Sequence, residues 1–176
     1  FIVDPTNGRT KLQYGVNVDA ADEWDTFRFS GTFTPRAAED WGFKCIVNEA
    51  TAPVIGAGTL YYLIGLYEAS SALPTEHIGF RSLSSGNWFL VCRNGGIETT
   101  VDLGVGPDTT LRLLEFRITG DGTSVQAYVD NVATGAAITT NIPTGLLSCQ
   151  CGVLCTGTIT TAAVMNLWGI GVQSGF

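Results

Sequence analysis

Apolar and polar residues alternate one for one along much of this chain. The clearest stretch runs from Leu111 to Pro143. Leu114, Phe116 and Ile118 alternate with Glu115, Arg117 and Thr119, and Val125, Ala127 and Val129 with Gln126, Tyr128 and Asp130. Strict alternation turns one set of side chains to a buried face and the other to water. Asp121-Gly122 and Asp130-Asn131 stand where the two turns must be, because Gly and Asn tolerate positive φ. A weaker third strand, Val132 to Thr140, ends before Ile142-Pro143, since Pro has no N–H for a ladder.

The same rhythm fills the rest of the sequence. His77–Leu83, Trp88–Cys92 and Ile97–Leu103 form a meander, linked at Ser84–Asn87 and Asn94-Gly95-Gly96. Thr10–Val18, Thr26–Thr34, Phe43–Val47 and Cys151–Cys155 are further strands. Leu60–Tyr67 is a near-continuous apolar run, which predicts burial on both sides. Val164–Gln173 carries apolar residues in both phases, which predicts the same. Thr51–Thr59 reads as a loop, and Arg36–Asp40 as the one short stretch able to make a helical turn. Many short strands with almost no helix predict an all-β fold, a two-sheet antiparallel jelly-roll sandwich. No linker and no internal repeat divides it, so residues 1–176 read as one domain.

Composition narrows the partners. Charged residues make up 14 % of the chain, against about 25 % in ordinary soluble domains. So little charge points to surface hidden in an assembly, or to a monomer with a Ser/Thr/Gly surface. The net charge is −7 and no Lys/Arg run exists, which excludes a nucleic-acid surface built on clustered cations. No window has the apolar length of a membrane-spanning helix. The chain starts at Phe1 without a charged-then-apolar leader, so it reads either as processed or as part of something longer. Five cysteines without regular spacing argue against a disulfide framework and for free thiols in a reducing cytoplasm.

Candidate chemistry is sparse. Glu23 and Asp25 share a face if extended, but no third acid follows at strand spacing, so a glycosidase pair is not expected. Asp19, Asp22 and Asp25 could offer oxygens to calcium; no other cofactor is expected. Cys149, Cys151 and Cys155 share a face of an extended strand. Thiolates suit zinc, but small core residues are the simpler reading. Trp24, Trp41 and Trp88 lie near predicted loops or strand ends, where a ring could stack on a sugar; core edges and interface anchors are the alternatives.

Between His77 and Pro143 the elements HIGFRS, WFLVCRNGGIETTVDLGV, LRLLEFRITGDGTSVQAYVDN and TTNIPTG resemble a pattern in virion proteins of tailed bacteriophages. They are similar to the concanavalin A-like (lectin/glucanase) jelly-roll superfamily. Many relatives carry Gly where Asn131 stands. The glucanase acid triplet and the metal-binding loops of legume-type lectins have no counterpart here. The resemblance implies a non-enzymatic phage structural protein, in head decoration or in a head or tail fibre. Its expected location is the virion, after assembly in the host cytoplasm beside major capsid or tail proteins. A homo-oligomer, a trimer by preference, and a cell-surface glycan are the expected partners. The alternative is a carbohydrate-binding lectin-like module.

Overall fold

The computed structural model describes residues 2–4, 9–16, 23–28, 32–35, 39–51, 54–68, 74–83, 86–161 and 163–174. Side chains are described over 32–35, 39–49, 59–68, 74–83, 86–153 and 165–173. Among these residues there are thirteen strands and no helix. In chain order they are β1 (Ile2–Asp4), β2 (Arg9–Val16), β3 (Glu23–Arg28), β4 (Trp41–Thr51), β5 (Val54–Tyr67), β6 (His77–Leu83) and β7 (Trp88–Asn94). They continue as β8 (Ile97–Asp102), β9 (Arg112–Ile118), β10 (Val125–Val129), β11 (Val132–Ile138), β12 (Ser148–Thr161) and β13 (Ala163–Ser174). Seven strands form one sheet in the order β1-β2-β13-β4-β9-β10-β11, and six form the other in the order β3-β12-β5-β6-β7-β8. The chain is an all-β, two-sheet antiparallel jelly-roll sandwich.

The alternation decides the layers. Trp41, Phe43, Cys45 and Val47 of β4 and Leu114, Phe116 and Ile118 of β9 point into the gap between sheets. Leu60, Tyr62, Ile64 and Leu66 of β5, Phe80 of β6 and Trp88, Leu90 and Cys92 of β7 meet them from the other sheet. Phe116 ties the layers together, 5.3 Å from Phe43 in its own sheet and 5.8 Å from Phe80 across the gap. Tyr62 donates to Glu49 Oε1 at 2.6 Å, also across the gap, and burial raises the Glu49 carboxyl above its ordinary pKa. Both turns of the β9–β10–β11 stretch have the required backbone. Gly122 sits at φ +69°, and Asp130 and Asn131 at +52° and +68°.

Residues 60 and 62–67 are buried on both faces of β5, as their apolar run predicts. Thr51–Thr59 is not a loop: β4 extends to Thr51 and β5 begins at Val54. The RAAED stretch lies largely outside the described residues. Cys45, Cys92, Cys149 and Cys151 are free and buried, and burial pushes the Cys149 and Cys151 thiols up to about 12.

At one edge, β11 has no strand beyond it and leaves Val132 66 % exposed. A bulge breaks its pairing between Val125 and Ala127 of β10. The Gln126 amide donates to the Thr134 and Gly135 carbonyls there, at 3.2 and 3.3 Å. Gly135, at φ +69°, abuts Val101 of β8 so closely that a Cβ would stand 2.2 Å from Val101 Cγ1. The edge is blunted from within the chain, which lowers its value as a pairing template.

Candidate functional site

Four adjacent strands of the seven-stranded sheet, β13, β4, β9 and β10, carry rows of side chains on its outer face. Register fixes the rows. Gln173, Gly42, Arg117 and Gln126 lie side by side, as do Gly171, Lys44, Glu115 and Tyr128. Gly169, Ile46 and Leu113 form the next row, and Asn166 stands beside Asn48. Residues opposite each other across a ladder share a face, so these groups converge on one surface.

Glycine makes the relief. Lys44, Ile46, Leu113, Gly169, Ile170 and Gly171 line a trough of about 370 Å³. A Cβ added at Gly169 or at Gly171 would meet nothing within 4 Å, so the missing side chains leave open space. Trp168 stands beside this floor because β13 slips its register between Leu167 and Gly169. A bulge re-aims one side chain. The indole turns outward, where its Nε1 donates to Asn48 Oδ1 at 3.0 Å. Asn166 Nδ2 donates to the same oxygen at 3.1 Å, while Asn48 Nδ2 donates to the Thr109 carbonyl at 3.2 Å. This chain of bonds fixes the Asn48 amide and leaves Asn166 Oδ1, which is buried, without a partner.

The other side of the face is polar. Arg117 Nε donates to Glu115 Oε1 at 2.5 Å, and the Arg117 guanidinium lies 4.2 Å from the centre of the Tyr128 ring. The Glu115 hydrogen bond holds the Arg117 pKa above its ordinary value. Lys44 Nζ donates to Gln173 Oε1 at 3.1 Å. A second hollow of about 290 Å³ is lined by Asp40, Arg117, Thr119, Ser124, Gln126 and Tyr128, among others.

The sequence pointed elsewhere. Trp41 and Trp88 are core residues, 4 % and 1 % exposed, and cannot stack on a ligand from solvent. Trp41 packs between Phe33 and Phe116, and Trp88 against Tyr62. The physical reason is phase: each opens a strand on its inward register, Trp41 with Phe43 and Trp88 with Leu90. Trp24 and Asp25 lie on β3, paired with Leu154 and Val153, and their side chains are outside the described residues. Asp19 and Asp22 lie outside them altogether. No group of three His, Cys, Asp or Glu able to hold a metal occurs among the described residues. The final strand is not buried on both sides either: Gly169 is exposed and Trp168 half-buried. Trp168 was the functional candidate that alternation missed.

No family model matches the chain, and no curated protein sequence matches it. Solved structures do. One described as the alginate lyase AlyC3 aligns over 99 % of this chain and 78 % of its own, at TM-score 0.66 and 10 % identity. The Bacillus licheniformis β-glucanase aligns over 94 % and 78 %, at 0.59 and 11 %. The carbohydrate recognition domain of Emp47p aligns over 97 % and 90 %, at 0.54 and 10 %. At such identities the likeness shows the fold, whose neighbours here bind or act on carbohydrate.

These neighbours correct the expectation of a non-enzyme. That expectation rested on a missing acid triplet, which speaks to one reaction only. Chains of this fold include lyases as well as a glucanase. Hydrolysis by two carboxylates asks for a second acid beside Glu115, and at i+2 on β9 stands Arg117 instead. An elimination asks only for a group to take a proton and a charge to steady the developing anion. A missing acid pair therefore does not exclude catalysis.

Proposed function

We propose that the outer face of the seven-stranded sheet binds a carbohydrate chain. The observation that carries this reading is the glycine-floored trough beside Trp168. An open floor admits a flat pyranose ring, and an indole held by Asn48 offers a fixed apolar plane at low entropic cost. Amides at Asn48, Gln126 and Gln173 suit hydroxyl groups, because an amide both donates and accepts. The carbohydrate-related neighbours of the same fold support the reading.

Titration calorimetry against a panel of polysaccharides, with and without calcium, tests it. Trp168→Ala is expected to weaken binding about tenfold or more, a loss of about 1.4 kcal/mol. Gly169→Val fills the trough where a Cβ meets nothing, so it should block binding in a folded protein. Wild-type protein that binds none of the panel, or variants that bind as well as wild type, would overturn the proposal. The same incubations are assayed for new reducing ends and for unsaturated sugar ends, which would make the binding face an active site.

Display on a virion is the setting we propose for this face, in line with the phage resemblance and the 14 % charge content. Many copies on one particle turn a weak sugar affinity into firm attachment. Co-purification with intact particles checks it, and the copy number separates a head position from a fibre.

A further inference from the structure

If this face binds carbohydrate, its charge pattern names the class of sugar. Asp130 is the last charged residue of the chain, and residues 131–176 contain no Asp, Glu, Lys or Arg. Strand β13 therefore brings only uncharged residues to the site, Asn166, Trp168, Gly169, Ile170, Gly171 and Gln173. The three charges on the neighbouring strands are already engaged: Lys44 with Gln173, and Glu115 with Arg117. With Asp40, which lines the adjoining hollow beside Arg117, two positive and two negative charges border the site, on a molecule whose net charge is −7.

We infer that the occupant is an uncharged polysaccharide, a chain of neutral hexoses, and not a uronate or sulfated polymer. Long-range repulsion from an acidic protein slows the approach of a polyanion. At the trough, a carboxylate would lose water against Ile46, Leu113 and glycine backbone, with Lys44 as the one cation there and already bonded to Gln173, while Arg117 is held by Glu115. A neutral ring also offers an apolar C–H face to Trp168. The inference separates this chain from the alginate lyases that share its fold.

The experiment compares a soluble neutral β-glucan with sodium alginate and a sulfated glycan on the intact chain, from about 50 to about 500 mM salt. The glucan is expected to bind at least about tenfold tighter than either anion, with affinity unchanged across the salt range. Trp168→Ala should remove that binding. Tighter binding of alginate or of the sulfated chain, falling with salt and lost in Lys44→Gln, would overturn the neutral class and leave the binding reading standing. Failure of all three sugars to bind would sink both.

Discussion

The two sheets turn outer faces of opposite character to their surroundings. On the seven-stranded sheet, Gly169 and Gly171 leave a trough, and Lys44 is exposed beside it. On the six-stranded sheet, Leu63, Tyr67, His77, Val91 and Gln150 also point away from the core between sheets, yet all are buried. Tyr67 lies over Gly79, so that a Cβ there would stand 2.8 Å from the phenolic oxygen, and its ring stacks on His77 at 5.1 Å. Alternation decides which side chains leave the core. It does not decide whether solvent meets them. Glycines make the same point: on one sheet they are spaces already filled, on the other spaces left open.

The largest effect should come from that contrast. A Cβ at Gly65 would stand 2.5 Å from both Gly79 Cα and the Ile78 carbonyl oxygen, backbone against backbone, with no rotamer to relieve it. Gly65→Ala is expected to cost about 3 kcal/mol or more, a fall in melting temperature of roughly 6–12 °C for a domain of this size. Gly169→Ala should stay within about 1 kcal/mol of wild type, read in the same thermal melts. Equal losses in the two variants would erase the distinction between filled and open glycines.

Next in size is His77. Its ring is buried on the outer face of β6, stacked on Tyr67. Burial pulls its pKa down to about 4; Arg81 and Arg93 lower it further, while Glu98 and the Pro74 carbonyl pull it up. A depressed histidine must stay neutral to stay folded. Above pH of about 6.5 the unfolded chain is neutral there too, and nothing is lost. Below that, the unfolded chain binds a proton that the folded chain refuses, so stability falls as pH drops toward about 4. The loss approaches 3 kcal/mol, at about 1.4 kcal/mol per unit. Urea melts between these pH values, with His77→Phe as the variant that cannot titrate, measure it. A wild type and a variant that lose stability in parallel would show that other groups carry the acid sensitivity.

Much of the fold was legible because local signals agreed. In the β9–β10–β11 stretch, alternation and the Asp121-Gly122 and Asp130-Asn131 turns all said the same thing, and the β6–β7–β8 meander did likewise. The site was harder because it depends on phase. Trp41 begins the run Trp41, Phe43, Cys45, Val47, and Trp88 the run Trp88, Leu90, Cys92; both periods of two mark them as core, although their places at strand starts suggested exposure. Trp168 escaped because one bulge reverses the phase of β13, and period counting cannot see a bulge. The signal that was available is Gly169 directly after it, since an isolated glycine in a strand marks a bulge or an open approach. The burial of the six-stranded outer face was legible in β5, whose unbroken apolar run predicts it, but not at His77, Val91 or Gln150.

The smallest effect probes the pair that keeps the open face neutral. Glu115 is 5 % exposed although it points outward, because it is held by Arg117, itself stacked on Tyr128. Glu115→Gln keeps the shape and removes the charge. The Arg117 partner is more than a third exposed, so water screens the pair and the stability loss should be about 1 kcal/mol or less. Binding should respond more than folding does. With Glu115 neutralised, Lys44 and Arg117 face an incoming chain with two positive charges and no acid between them. Affinity for alginate is expected to rise several-fold at low salt and to fall back as salt is added, while affinity for a neutral glucan barely moves. An unchanged alginate affinity would mean that Glu115 does not set the charge the ligand meets, and that the neutrality of the face resides in the uncharged strand β13.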